Sequence, residues 1–139
     1  MRKLLAKVEP AALAAALQLG LSGAELEPLT GSVPVVQVSF TGSDRLPIYV
    51  TDAGSQVLCI SYLFQERDVK VKSRTTLLET LLDLNPSVPL SDFGRIGEHY
   101  VLVGALSPNS STDDLALELA TLSDNAMDAL ATLKDFLKV

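Results

Sequence analysis

The chain reads as an α+β protein, an antiparallel sheet packed by helices, and three observations predict it. A helix-forming, Ala- and Leu-rich stretch precedes three β-branched segments joined by short turns. A leucine-faced helix and a second pair of strand-like segments follow. The chain then closes on a long stretch whose apolar residues recur at steps of three and four. Antiparallel runs separated by helices bury their apolar faces by laying the helices on the sheet. The predicted order is helix, three strands, helix, two strands, helix.

Pro10 suits the first turn of a helix, where its missing N–H costs nothing, and "PAALAAALQLG" then runs to Gly20, a natural C′ residue. Residues 21–32, with two glycines and Pro28, read as a connector holding a short extended piece at Glu25–Leu29. Val35–Phe40, Leu46–Val50 and Gln56–Phe64 are the three strands, a meander through the turns "TGSDR" and "TDAGS". Gln56–Phe64 is apolar at both parities, the pattern of a central strand covered on both faces. A polar crossover, Glu66–Arg74, leads to Ser73, which can cap a helix from Arg74 to about Leu84. Asn85-Pro86 ends that helix, because the residue before proline avoids the α region.

"PLSDF" and "HYVLVGAL" flank "GRIGE", a hairpin in which Gly94 and Gly97 supply positive φ angles. In the last element Ser111 and Asp114 form a capping-box-like pair, with Asp113 and Asp114 at the positive end of the dipole and Lys134 and Lys138 at the negative end. Leu115, Leu119, Leu122, Ala126, Leu130, Leu133 and Leu137 make one stripe, and Leu117, Met127 and Phe136 widen it.

With 139 residues the chain forms one domain, 1–139: an N-terminal helix and connector (1–32), a sheet with an inserted helix (33–107), and a long C-terminal helix (111–138). Hydrophobic residues make up 47%, enough for a real core. A net charge of −6 argues against nucleic acid as a partner and against direct membrane insertion, and no stretch approaches the roughly 18 apolar residues of a spanning helix. One cysteine excludes an intramolecular disulfide, and a reducing, cytoplasmic setting is the natural expectation.

The chemical motifs are weak. Asp92-Phe93-Gly94 spells the kinase metal-binding triplet without the rest of a kinase. Gly94-Arg95-Ile96-Gly97 matches a KH-type clamp, but strands flank it where that fold has helices. His99 stands beside Glu98 and near Asp92, an acid–base set only if the three converge on a pocket. Cys59, among Val57, Leu58 and Ile60, reads as a buried, inert thiol. No cofactor or metal is expected. Arg67, Lys70, Lys72 and Arg74 are the one concentration of positive charge, a solvated crossover or a foothold for an acidic partner segment.

"VLCISYLF", "LLDLNPSVPLSDFGRIGEHYVLVGALS" and "LSDNAMDAL" closely resemble the uncharacterised bacterial YjfI family, over about Val35 to Leu130. That resemblance implies a small cytoplasmic protein with no attached enzymatic activity, often encoded beside a PspA-like membrane-stress protein. More distantly, the element order is similar to type III secretion chaperones and YbjN-like proteins, which implies a homodimer that holds a partner chain on apolar grooves. The expected function is therefore a non-enzymatic, chaperone-like adaptor acting on a protein partner, PspA-like by that implication. On that analogy Val36, Val38, Ile48 and Val50 are candidate partner contacts, and Leu77, Leu78, Leu81 and Leu82 a candidate dimer surface. The rival readings are an enzyme with a site at residues 92–99 and a structural subunit of a larger assembly.

Overall fold

A computed structural model describes residues 1–138. Helix α1 (Arg2–Gln18) leads into a four-stranded meander, β1 (Ala24–Leu29), β2 (Val35–Phe40), β3 (Ile48–Asp52) and β4 (Val57–Gln65). Helix α2 (Arg74–Leu84), the hairpin β5 (Asp92–Ile96) and β6 (His99–Leu106), and helix α3 (Thr112–Leu133) complete the chain. The strands form one antiparallel sheet in the order β1-β2-β3-β4-β6-β5. This is the expected α+β architecture with one strand more. The piece read as part of a connector is a full edge strand, in register with β2 from Ala24↔Phe40 to Leu29↔Val35.

Helix α1 begins at Arg2, so Pro10 lies inside it rather than at its start. The helix tolerates this because Pro10 and Ala6, whose carbonyl loses its partner, are both solvent-exposed. Leu4, Val8, Ala11, Ala12, Ala15 and Ala16 form the buried stripe. Four alanines in it allow close packing on α3, which presents Ala116, Ala120 and Ala126 among its own buried residues. Helix α3 starts where expected, with the Ser111 hydroxyl accepting from the Asp114 N–H at 3.1 Å. It ends at Leu133, short of the expected 138. Residues 134–138 instead turn onto the crossover, where Leu137 bridges Val69 and the Lys138 N–H donates to the Asp68 carbonyl at 2.7 Å.

The core lies between the helices and one face of the sheet. Phe40, Val38 and Val36 of β2, Ile48 and Val50 of β3, Val57 and Cys59 of β4 and Leu102 of β6 share that inner face by register, and all are buried. Leu115, Leu119 and Leu122 of α3 and Leu77 and Leu81 of α2 close over it. Gly104 of β6 completes the fit, because a methyl group there would overlap the Glu118 carboxylate of α3. Each fully buried aliphatic side chain stabilises by about 1.5–3 kcal/mol relative to an exposed one.

Candidate functional site

Among the described residues, the opposite face of the sheet carries no helix. The alternate residues point there: Val35 and Gln37 of β2, Tyr49 and Thr51 of β3, Leu58, Ile60 and Tyr62 of β4, Val101 and Val103 of β6, and Ile96 of β5. Most of these are only half-buried, and Tyr62 and Ile96 are 36% and 43% exposed. An aromatic row crosses this face. The Tyr49 and Tyr62 rings meet edge-to-face at 5.4 Å, and Tyr62 meets His99 the same way at 5.3 Å. With Pro47 and Ile96 they line a shallow hollow of about 420 Å³. Rings with an apolar body and a polar tip, set among aliphatic neighbours, can grip a partner's side chains and hydrogen-bond its backbone.

Val36, Val38, Ile48 and Val50, expected as partner contacts, belong to the other face and are 0% exposed. The correction follows from the period of a strand, in which neighbouring side chains point to opposite sides. Helix α1 lies over the even-numbered set, and the open set is one residue over. The both-parity apolarity of β4 carried the signal. It reads as coverage on both faces, yet the helices cover only one, so Leu58, Ile60 and Tyr62 stand open.

The crossover cations separate in their roles. Glu66 accepts from Arg74 Nε and from the Tyr100 hydroxyl, each at 3.0 Å, and pairs with Arg95 Nη2 at 3.2 Å. Partial burial pushes its carboxyl up, but the hydrogen bonds from Arg74 and Tyr100 and the charges of Arg74 and Arg95 outweigh that and hold it below the usual range. Arg95 also stacks 5.3 Å above the Tyr100 ring. Lys70 is tied to the Asp135 carbonyl at 3.0 Å, while Arg67 and Lys72 face solvent.

Helix α2 divides the four expected dimer leucines. Leu77 and Leu81 are buried against the sheet, so only Leu78 and Leu82 look outward, Leu82 with 70% of its surface exposed. Both line a largely apolar groove of about 300 Å³ between α2 and the β5–β6 hairpin, with Phe93, Arg95 and Tyr100 on the far wall. Asn85 Oδ1 accepts from the Phe93 N–H at 2.7 Å and so ties the end of α2 to the free edge of β5.

In the hairpin, Ile96 pairs with His99 and the turn is Gly97-Glu98. Gly97 has φ +59°, as a two-residue turn with glycine first requires. Gly94, expected as a turn residue, is instead a strand residue opposite Val101. Asp92, Glu98 and His99 do not converge: Asp92 sits four residues along β5 from the Ile96–His99 pair, about 13 Å at the rise of a strand. Cys59 is fully buried, and burial, then the nearby Glu118 charge, pushes its thiol far up.

Residues 9–137 match the family described as uncharacterized proteins conserved in bacteria, DUF2170. The chain belongs to that family. The uncharacterized protein YjfI of Escherichia coli K12 is 31% identical over 142 residues, covering 91% of this chain and 96% of YjfI. YjfI of Escherichia coli O157:H7 matches to the same degree. A chain of the heterodimeric ExoU–SpcU complex from the type III secretion system of Pseudomonas aeruginosa has the same fold, with a TM-score of 0.54 at 16% identity, over 91% of this chain and 97% of that one. The likeness is one of fold, and it agrees with the α+β architecture expected from the element order. No helix among the described residues is long and apolar enough to cross a membrane.

Proposed function

We propose that this DUF2170 protein is a non-enzymatic, chaperone-like module that holds a protein partner on the open face of its sheet. The observation that carries the reading is the uncovered run of Tyr49, Ile60, Tyr62, Val103 and Ile96, apolar or aromatic and only half-buried or exposed. A contiguous apolar face of that kind on a folded domain marks an interaction surface. The likeness to a chain found in a heterodimeric complex supports it at the level of fold. A PspA-like membrane-stress protein is the first partner to try, on the family resemblance alone. A homodimer belongs to the same reading, and solution mass measures it.

The test is co-purification from the native host and then titration with the purified partner, using the wild type, Ile60→Asp and Tyr62→Glu. Both positions face away from the helices, so circular dichroism should be unchanged while partner affinity falls at least about tenfold. A wild type that is strictly monomeric and captures nothing, or variants that bind as well as it does, would sink the reading.

A further inference from the structure

The groove beside α2 shares Arg95 with a second hollow of about 510 Å³ lined by Glu66, Arg67, Arg74, Glu98, Lys138 and Val71. Counting Arg95, four cations face two carboxylates there, in a chain whose net charge is −6. Apolar and cationic surface therefore meet along one path. Leu82 and Val71, 70% and 84% exposed, are among the most exposed large aliphatic side chains of the molecule and stand along its two parts. The guanidinium groups of Arg74 and Arg95 are already oriented by Glu66, so little side-chain freedom is left to lose on binding.

We propose that this path takes an acidic amphipathic segment of a partner protein, its apolar side chains on Leu78, Leu82 and Phe93 and its carboxylates on Arg67, Arg74 and Arg95. The proposal deepens the protein-binding reading by naming the chemistry of the bound chain, and it uses a surface separate from the open sheet face. Charge complementarity selects the occupant. Arginine pairs a carboxylate through two parallel hydrogen bonds, and an apolar helix face seats its leucines at i, i+3, i+4 and i+7 in a groove.

The experiment uses the full chain and three labelled peptides. One has leucines at that spacing with glutamate between them, a second has lysine in place of glutamate, and a third keeps glutamate but replaces leucine with serine. The Leu–Glu peptide is expected to bind, more weakly as salt rises, and the other two to bind at least about tenfold less well. Leu82→Asp and Arg67→Glu, both exposed and so compatible with folding, should each lower its affinity, and Arg67→Glu should improve the lysine peptide. Equal affinity for the glutamate and lysine peptides, or no binding to any, overturns the proposal. So does a dimer that Leu82→Asp dissociates and no peptide disturbs, which would give the groove to a second copy. Peptide binding lost in Ile60→Asp but kept in Leu82→Asp overturns it too, while leaving the open-face reading in place.

Discussion

Glu118 is a carboxyl group that the fold handles at some cost. It is 3% exposed, stands against the bare Cα of Gly104, and shares a hollow with Leu90, Ser110 and Asp114. Burial pushes its pKa up to about 7. An acid whose pKa is higher in the folded chain holds its proton more tightly there than when unfolded. Its contribution to stability is full below the ordinary glutamate value of about 4.3 and is lost as pH rises through about 7. Glu118→Gln, which cannot ionise, should therefore lie above the wild type in stability at pH 8, by on the order of 2 kcal/mol, and converge with it near pH 4.5. Urea unfolding at the two pH values measures this; parallel curves would mean that Glu118 ionises freely in the fold. The charge of this residue was plain in the sequence, but its burial was not, because taking a carboxyl group out of water is ordinarily too costly to expect inside a fold.

At the level of elements, the helix and strand sites were legible from periodicity, and the sides they face were less so. Val35–Phe40 and Gln56–Phe64 were placed within a residue, since β-branched runs between turn residues leave few alternatives. In Val35–Phe40 the polar Gln37 and Ser39 mark the odd-numbered set as the outer one, whereas in Gln56–Phe64 both parities are apolar and only the packing of α3 decides between them. The same limit split the leucines of α2 into two buried and two outward-facing. Gly94 and Gly97 looked alike as symbols, while register makes one a strand residue and the other the turn. Substitution separates them. Gly97→Ala should cost about 1–2 kcal/mol, since φ +59° disfavours any Cβ. Gly94→Ala should cost well under that, because the added methyl meets only Val101 Cγ2 at an ordinary 3.8 Å. Melting temperatures of the two variants check the contrast, and equal losses would contradict the assigned turn.

For the molecule as a whole, one sheet separates a filled side from a bare one. Replacing Val38, at 0% exposure on the filled side, with Asp should abolish folding, because it buries an unpaired charge. Replacing Ile60 with Asp on the bare side should leave the melting temperature nearly unchanged and reduce binding of a hydrophobic dye. Equal destabilisation at the two positions would mean that the second face is covered in the isolated chain. The sidedness also explains why a sequence with no legible catalytic motif still points to a function, since apolar residues in excess of the core have to meet something.

The outermost strand has a consequence for assembly. β1 sets Pro28, which has no N–H to offer, between Leu29 and the carboxylates of Glu25 and Glu27. A further ribbon of chain trying to zip onto that margin would miss a donor and meet like charge. Edge-to-edge addition of a further sheet is thereby disfavoured on that flank.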